Sequence, residues 1–374
     1  SSPSHAVNVR SVTVHQFDVP LEEPFITALR PVPELERVLV EVETESGYTG
    51  IGEAAPGPQV TGETQEGIAA AIEKYLAPAA LESDPLSIER WVADLDRALG
   101  EAPTAHAALE IAAQDIRGKH ADLPLYRLLG GHADEPTIAA PSVLSLKDPD
   151  EMAADAADAV EAGYGQLKVK LGGDPAVDAE RVRAIVDAVP ESVSLKADAN
   201  QSWPDAKTAL AALRPVAEHL DVIEQPVGET AIEDLVLLRE RLDIPVMPDE
   251  SVWDETDAIH LLEHGAGDMY NIKLMKTGGI TGAARLNAVC DAKGYRTQVG
   301  SMVEGHVGTA AGVHFALAFE NVVYNEMVGP FMTTTGITDL DFELPDIRAS
   351  GPGLGVTVDR DALDELTAER TVIE

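Results

Sequence analysis

The stretch Gln166-Leu-Lys-Val-Lys-Leu-Gly-Gly173 places two lysines two residues apart in a segment with the pattern of a buried strand. Side chains at positions i and i+2 of a strand share a face, so Lys168 and Lys170 are predicted to point into one cavity. Each amine raises the cost of charging the other, and partial desolvation acts in the same direction, so one lysine is expected to serve as a base near neutral pH. An isolated pair of this kind also fits a strand edge whose lysines reach water.

The charge balance of the chain is extreme, with 65 acidic against 27 basic residues and a formal net charge of −38. Acidic residues are spread over predicted helix faces such as 148–161 and 229–243, so the charge belongs to the whole surface. Repulsion of this size destabilises a compact state at low salt and is screened at molar salt. We therefore expect the cytoplasm of a halophile with high internal salt, and neither nucleic acid nor an anionic membrane as a partner.

Other features of the composition narrow the class of protein. The apolar runs are too short to span a bilayer, and the first residues have no signal-peptide pattern, so a soluble, unexported protein is expected. The single cysteine, Cys290, rules out an intramolecular disulfide and a cysteine-rich metal site. Lysine is scarce, with only ten in the chain, and four of the ten lie in two short motifs: Lys168, Lys170, Lys273 and Lys276.

The N-terminal part, residues 1–130, is predicted to be an α+β capping domain. Residues 8–56 alternate as in an antiparallel meander, and a helical pattern follows from Thr64 to about residue 118. Between the first two strands lies a predicted loop, residues 20–33, that contains Pro24-Phe-Ile-Thr-Ala-Leu-Arg30. Such a loop is either a packed surface loop or a lid over a site.

Strands and helices alternate from about residue 136 onward. This order predicts an α/β fold in which residues 131–335 form a (β/α)8-type barrel, with an open doubly wound sheet as the alternative. The turn-rich segment 336–374 is expected to return to the capping domain and complete it. The predicted barrel strands are Thr137–Val143, Gly165–Leu171, Val193–Ala197, Val222–Glu224, Pro245–Met247, Met269–Lys273, Arg296–Gly300 and Val322–Glu326.

Three successive predicted strands end in acidic residues. The third ends in Asp198-Ala-Asn200, the fourth in Glu224 and the fifth in Asp249-Glu250, with a lysine on the strand before them and Lys273 on the strand after. Any one of these acids also fits an ordinary loop residue in so acidic a chain, but their coincidence at this periodicity favours a site. Three hard oxygen ligands suit Mg2+, and the lack of an accompanying histidine or cysteine argues against zinc.

The predicted site is suited to proton transfer next to a carboxylate. A metal ion that holds a substrate carboxylate stabilises the negative charge that develops when the neighbouring carbon loses its proton. Lysines from the second and sixth strands lie on opposite sides of a barrel and would face opposite sides of that carbon. Such a pair permits racemisation or epimerisation.

The ordered pattern KxK, DxN, E, DE, K resembles the muconate lactonising subgroup of the enolase superfamily. The resemblance covers essentially the whole chain, including Gly52-Glu-Ala-Ala-Pro56 and Thr61-Gly-Glu-Thr64. It implies Mg2+, with Mn2+ as a substitute, and a small anionic carboxylate as substrate. The implied metal ligands are Asp198, Glu224 and Asp249. The implied acid/base pair is Lys170 and Lys273, and Lys168 is implied to assist at the substrate carboxylate. Asn200 and Glu250 are implied to support the metal ligands, and Lys276 has no role in the family pattern and is interpreted as structural.

Within the subgroup the signals divide. The stretches 25–30, 271–279 and 300–304 resemble dipeptide epimerases, especially those acting on alanyl-glutamate. In those epimerases a loop arginine contacts a substrate carboxylate, and Arg30 is the matching position. Ser301 and Met302 are further candidates for substrate contact. Those epimerases end their eighth strand in a DxD that binds the dipeptide's ammonium, but here the run is Glu326-Met-Val328. This run resembles muconate cycloisomerases, whose substrates are dicarboxylates, although Glu326 keeps an acid that could bind an amine.

Three hypotheses follow. The first is an epimerase or racemase of a dipeptide or N-acyl amino acid, the second is a muconate-type cycloisomerase, and the third is a non-catalytic metal-binding barrel. Acid-sugar dehydration is not favoured, because relatives with that activity usually carry a catalytic histidine late in the barrel. Here His306 and His314 lie in or near the seventh predicted helix rather than at a strand end, and they are interpreted as packing or surface residues. Relatives of this kind are commonly symmetric, so a homo-oligomer that requires salt for assembly is expected.

Overall fold

The computed structural model describes residues 7–26 and 31–374. The strands are β1 Val9–Ile26, β2 Pro31–Thr44, β3 Thr49–Ala54, β4 Thr137–Ala139, β5 Ser142–Leu144, β6 Gln166–Lys170, β7 Ser194–Asp198, β8 Val222–Glu224, β9 Val246–Met247, β10 Met269–Ile272, β11 Arg296–Val299, β12 Val322–Asn325, β13 Phe342–Glu343, β14 Asp346–Arg348 and β15 Thr367–Ile373.

The helices follow the same chain order. They are α1 Gln65–Ala71, α2 Ala77–Leu81, α3 Ile88–Ala98, α4 Pro103–Ala121, α5 Leu125–Leu128, α6 Pro149–Ala162, α7 Pro175–Ala188, α8 Ala206–Leu213, α9 Ile232–Arg241, α10 Glu255–His264, α11 Leu274–Thr277, α12 Ile280–Ala292, α13 His306–Ala318, α14 Gly329–Met332 and α15 Arg360–Leu366. A π-helical turn, Ile72–Leu76, joins α1 to α2, and a 3-10 turn, Ala217–His219, follows α8. None of the helices in the described ranges is long and apolar enough to cross a membrane.

An antiparallel sheet of order β15-β1-β2-β3 forms the N-terminal domain. Its apolar face packs on α4, which is buried along most of its length between this sheet and the rest of the chain. Gly52 permits the close approach, since a Cβ at this position would lie 1.7 Å from the carbonyl oxygen of Ala108. Strand β15 comes from the C-terminal segment, so this segment completes the capping domain.

The predicted open loop at 20–33 is wrong in extent. Strands β1 and β2 stay paired as far as Ile26 and Pro31, with an irregularity between Pro20 and Phe25. Prolines at 20, 24, 31 and 33 hide the pairing in the sequence, because proline within a run argues against a strand. The remaining tip, 27–30, lies outside the described residues, as does Arg30, so a lid in this region stays a prediction.

Two parallel sheets form the barrel, of order β5-β6-β7-β8-β9 and β10-β11-β12. They are joined by backbone hydrogen bonds from Asp268 N to Val246 O (2.8 Å) and from Asn271 N to Pro248 O (3.0 Å). Helices α6 to α13 lie between successive strands in the chain. The predicted α/β fold, a (β/α)8-type barrel with an N-terminal capping domain, is confirmed.

The first predicted barrel strand, Thr137–Val143, is in fact two short strands. Strand β4 pairs antiparallel with β14 of the C-terminal segment, and only β5 pairs parallel with β6. Pro141 stands between β4 and β5 and has no backbone N–H to donate, so a continuous ladder is interrupted there.

Buried carboxylates of the capping domain cap two barrel helices. Glu110 on α4 accepts from Ile280 N (2.6 Å) and Thr281 N (3.0 Å) at the start of α12. Glu53 on β3 accepts from Gly305 N (2.5 Å) and Gly308 N (3.3 Å) at the start of α13. The first-turn amides of a helix have no intrahelical partner, so these acids stabilise the helices that follow β10 and β11.

Candidate active site

The charged side chains predicted for the site lie in a row at the carboxyl ends of neighbouring barrel strands. Lys170, Asp198 and Glu224 are in register on β6, β7 and β8. Asp249 and Lys273 follow within two residues of the ends of β9 and β10. Because parallel strands of a barrel end at one rim, the row runs from lysine through three carboxylates to lysine.

Lys168 is the centre of the charge cluster. Its Nζ lies 3.0 Å from Asp198 Oδ2, 3.0 Å from Glu224 Oε2 and 2.5 Å from Glu326 Oε1, and the residue is buried. Burial by itself lowers the pKa of this amine, but the three acids outweigh burial and raise the pKa well above its usual value. Glu326 is therefore turned toward Lys168.

Lys170 is the more open of the two lysines on β6. Its Nζ donates to Asp198 Oδ2 (2.7 Å) and to Asn200 Oδ1 (2.7 Å). Asn200 has a left-handed backbone (φ +44°), its N–H donates to Asp198 Oδ1, and its amide group lies 3.4 Å from Glu250 Oε1. Asn200 and Glu250 thus lie beside the row of carboxylates and contact each other.

Asp249 is held by two amines. Lys273 Nζ is 2.7 Å from Asp249 Oδ2, and Lys276 Nζ is 2.7 Å from Asp249 Oδ1. Lys276 is fully buried and also donates to the carbonyl oxygens of Asp249 (2.7 Å) and Val252 (2.8 Å). Burial acts to raise the pKa of the Asp249 carboxyl, but the two amines outweigh it and hold the pKa well below its usual range. These contacts agree with a structural role for Lys276.

Of the two lysines on β6, Lys168 does not fit the expectation of a base near neutral pH, because its pKa is raised. Burial does lower the pKa of Lys273, yet Asp249 and Glu224 outweigh it and raise the pKa above its usual value. The reason is the neighbourhood of the amines, in which buried carboxylates contribute more than the adjacent lysine does.

A further buried lysine, Lys196, was not among the predicted site residues. It lies on β7 two residues before Asp198, its Nζ donates to Gln298 Oε1 (2.8 Å) and it stands 4.8 Å from the centre of the Tyr324 ring. Burial lowers the pKa of this amine to about 8. The signal was present in the sequence, because Lys196 shares a strand face with Asp198 as Lys168 does with Lys170.

Two amides also contact the residues predicted to bind the metal, and the sequence analysis did not assign them. Gln225 Oε1 accepts from Asp249 N (2.8 Å) and Ser251 N (3.2 Å). Asn271 Nδ2 donates to Glu224 Oε1 (2.9 Å). Each amide follows or precedes a predicted site residue in the sequence, but only the fold shows that it orients an acid from another strand.

The segment 300–304 borders Lys273. A Cβ at Gly300 would lie 2.4 Å from Asn271 Oδ1 and 2.9 Å from Lys273 Cε, so Gly300 borders both side chains. Ser301 Oγ donates to Glu304 Oε2 (2.5 Å) and accepts from Val303 N (2.8 Å), and Met302 N donates to Glu304. Contact of Ser301 and Met302 with a substrate stays a prediction.

The two histidines of α13 pack within the protein. His314 is buried, accepts from Tyr126 N (3.1 Å) and contacts Leu354 O (2.9 Å). His306 contacts Thr338. Neither lies at a strand end, in agreement with their interpretation as packing residues.

The oxygen donors of the site fit a hard divalent cation, although the side chains do not form a complete set of metal ligands. Within residues 7–26 and 31–374, no three acidic, histidine or cysteine side chains are grouped closely enough to hold a metal ion as they stand. Lysine amines engage the three carboxylates instead. Burial first, and then the nearby carboxylates of Asp198 and Glu326, raise the pKa of Glu224 well above its usual range. Carboxylate oxygens without histidine or cysteine are the donors that Mg2+ prefers.

Comparison with known families matches both domains. Residues 9–130 match the N-terminal domain of the mandelate racemase / muconate lactonizing enzyme family, and residues 151–362 match the family described as enolase C-terminal domain-like. The N-succinyl-L-Arg/Lys racemase of Bacillus cereus is 33% identical over 98% of this chain and 100% of its own length, and the crystal structure of that racemase superimposes with a TM-score of 0.94.

Two dipeptide epimerases are similarly close. The L-Ala-D/L-Glu epimerase of Bacillus subtilis is 37% identical over 92% of this chain and 95% of its own length. A dipeptide epimerase from Enterococcus faecalis, solved with Mg and the dipeptide L-Leu-L-Tyr, gives a TM-score of 0.89 at 34% identity and covers 94% of this chain and 99% of its own. Muconate cycloisomerases also match, at 30–32% identity. The chain therefore belongs to the mandelate racemase / muconate lactonizing enzyme family, a group of isomerases within the enolase superfamily.

Proposed function

We propose that this chain is a Mg2+-dependent racemase or epimerase that moves the proton on the carbon next to a carboxylate. The observation that carries the proposal is the row at the barrel rim, in which Lys170 and Lys273 flank three buried carboxylates. Asp198, Glu224 and Asp249 would hold the ion. When bound there, Mg2+ would supply a fixed positive charge beside the substrate carboxylate.

The lysines would perform the proton transfer. The lysine at one end of the row, in its neutral form, would accept the α-proton at Nζ, and the ammonium at the other end would donate a proton to the opposite face of the same carbon. Asp249 and Glu224, which raise the pKa of Lys273, would bind the ion instead, and this would favour the neutral amine. The net result is inversion, with no change of oxidation state and with one proton exchanged between the two lysines and solvent. Lys168, which lies against both Asp198 and Glu224, would contribute positive charge near the substrate carboxylate.

An N-acyl amino acid is the substrate class that the site favours. Glu326, the remaining acid of the eighth strand end, is buried and engaged by Lys168 at 2.5 Å. A carboxylate that already neutralises an internal amine is poorly placed to bind the free ammonium of a dipeptide. The N-succinyl-L-Arg/Lys racemase aligns with 98% of this chain, but a dipeptide epimerase is 37% identical against 33% for the racemase, so Glu326 carries this choice.

A muconate-type cycloisomerase is the second candidate. It is supported by the run Glu326-Met-Val328 and by relatives of that activity at 30–32% identity. In that reaction a lysine protonates the enolate formed by lactone closure, and the second lysine has no required role. A non-catalytic metal-binding barrel is opposed by the intact pair of lysines.

Hydrogen exchange separates these candidates. The protein would be incubated in D2O with Mg2+ and molar KCl, against N-succinyl amino acids, L-Ala-L-Xaa dipeptides and cis,cis-muconate, with proton NMR as the readout. We expect deuterium at the α-carbon of N-succinyl amino acids of both configurations. Lys170→Ala and Lys273→Ala should each lower racemisation by roughly a thousandfold or more and keep exchange only from the stereoisomer that faces the remaining lysine.

The exposed residue Lys293 offers a matched control, and Lys293→Ala should behave as the wild type. Consumption of muconate alone would replace the proposal with the cycloisomerase. Turnover that neither lysine substitution affects would contradict a mechanism with two lysine bases. A protein that binds Mg2+ but catalyses no exchange would support the non-catalytic barrel.

We also propose the working conditions of the enzyme. The net charge of −38 supports the high-salt cytoplasm of a halophile, and the all-oxygen donor set supports replacement of Mg2+ by Mn2+. A homo-oligomer whose assembly requires salt remains part of this proposal, because repulsion between copies of so acidic a chain must be screened.

A further inference from the structure

The segment 300–304, which follows β11, is held by the capping domain. Arg37 on β2 is buried, and its Nη2 donates to the carbonyl oxygens of Val303 and, at 3.4 Å, Met302. The Nε of Arg37 lies 3.8 Å from Glu53 Oε2. Charge-assisted hydrogen bonds of a buried guanidinium are among the stronger contacts in a protein, so this arginine ties the segment to the N-terminal sheet.

Val303 needs such an anchor because its backbone is in the left-handed region, with φ +55°. A β-branched residue is disfavoured in that conformation and persists there only where the surroundings hold it. Two contacts hold the residue from both sides: its carbonyl oxygen accepts from Arg37, and its N–H donates to Ser301 Oγ.

The two ends of the segment are also fixed. Downstream, the Gly305 and Gly308 amides donate to Glu53 of the motif Gly52-Glu-Ala-Ala-Pro56. Upstream, Gly300 N donates to Ile272 O (2.7 Å), and a Cβ at Gly300 would lie 2.9 Å from Lys273 Cε, so this residue borders the Lys273 side chain. Val303 is thus connected through Ser301 and Gly300 to the surroundings of the Lys273 side chain.

We propose that Arg37 and Glu53 are positioning residues, which act from the capping domain through the segment 300–304 to place Lys273. This inference rests on the proposed function, in which Lys273 serves one face of the substrate. Lys170 stands at the other end of the row, where its hydrogen bonds are to Asp198 and Asn200. Arg37 should therefore affect the half of the reaction that uses Lys273 and spare the half that uses Lys170.

The test compares α-proton exchange from the two stereoisomers of one N-succinyl amino acid in Arg37→Met. The stereoisomer that depends on Lys273 is identified first with Lys273→Ala. In Arg37→Met, exchange from that stereoisomer should fall roughly 10-fold to 100-fold, because small misplacement of a reacting group is costly, while exchange from the other should change less than about threefold. Arg10→Met, on the exposed face of the same sheet, is the matched control and should change neither.

A rescue variant tests the route of the effect. Glycine adopts positive φ at no steric cost, so Arg37→Met/Val303→Gly should recover roughly tenfold of the lost Lys273-dependent exchange. If Arg37→Met does not fold, Arg37→Lys keeps the charge but not the two-pronged contact, and it should show the same asymmetry at smaller size.

Equal losses from both stereoisomers, or no recovery in the double variant, would overturn the positioning role while leaving the proposed function intact. A wild-type enzyme that exchanged neither stereoisomer of any N-succinyl amino acid would instead contradict the proposed N-acyl amino acid substrate class.

Discussion

Lys276 shows how a single buried amine fixes the position of Asp249, a proposed metal ligand. It contacts Asp249 at both the carboxylate and the carbonyl oxygen and has no exposed side-chain surface. Its neighbour Lys273 shares the same carboxylate and remains slightly accessible. Lys276 therefore supports Asp249, whereas Lys273 is proposed to take part in proton transfer. The residue type, which is the same for both, does not reveal this difference in role.

Substitution of Lys276 tests this division. Lys276→Met leaves Asp249 buried with one amine fewer, so we expect the free energy of unfolding to fall by about 3 kcal/mol and Mg2+ affinity to fall about tenfold. Chemical denaturation and calorimetric titration with Mg2+ are the measurements. The exposed Lys293→Met is the control, with an expected change within about 0.5 kcal/mol. Unchanged stability and unchanged metal affinity would show that Asp249 is held without Lys276.

At the scale of elements, Glu41 joins three parts of the capping domain. It lies on β2, its Oε2 is 2.8 Å from His15 Nε2 on β1, and its Oε1 is 2.5 Å from Arg360 Nη2 on α15. Burial acts to raise the pKa of the Glu41 carboxyl, but the hydrogen bonds from His15 and Arg360 outweigh burial and lower the pKa to about 2. The contact thus connects the N-terminal hairpin to the C-terminal segment in a pH-dependent way.

A carboxyl group whose folded-state pKa is depressed stabilises the fold above its ordinary pKa, near 4.5, and this contribution is lost as the pH falls toward about 2. We expect Glu41→Gln to be less stable than the wild type by up to about 3 kcal/mol above pH 5, with the difference shrinking between pH 5 and pH 2. Unfolding monitored by circular dichroism across this range is the measurement.

The matched control for this experiment is Glu43→Gln on the same strand. The ion pair of Glu43 with Arg10 is largely exposed, so its loss should cost no more than about 0.5 kcal/mol at any pH. A stability difference for Glu41→Gln that stayed constant from pH 5 to pH 2 would contradict the role of Glu41.

The sequence patterns predicted strand boundaries least reliably near prolines. The hairpin β1–β2 extends past four prolines that argue against strands, and Pro141 divides a stretch that alternates like one strand. In both cases the partner strand decides whether the strand continues through a proline. A proline is tolerated only where its missing N–H would not have donated a hydrogen bond to the neighbouring strand.

For the whole molecule, the dominant property is the net charge of −38. The screening length falls from about 10 Å at 0.1 M salt to about 3 Å at 1 M, which removes most repulsion between surface acids. We expect the thermal midpoint to rise by about 10 °C or more between 0.1 M and 2 M KCl. Differential scanning calorimetry is the measurement, and sorbitol without added salt is the control for general solute effects. A midpoint that is flat or falls with KCl would contradict adaptation to high salt.

The sequence by itself determined the fold class, the order of the barrel strands and the set of charged residues at their ends. These properties are local: alternation with periods of 2 and 3.6 marks elements, and the residue type at a strand end follows directly from the chain. The resemblance in motif order placed the chain in its superfamily, and the match to the family over both domains agrees.

Only the tertiary structure decided which amine meets which acid. Glu326 is engaged by Lys168, Gln298 accepts from Lys196, and Arg37 anchors Val303, although each pair is separated by 100 or more positions in the chain. The directions of the pKa shifts follow from these pairings, because an ammonium group responds to every buried charge within a few ångströms. Such distances are set by how the strands and the capping domain pack together, and no local pattern in the sequence encodes them.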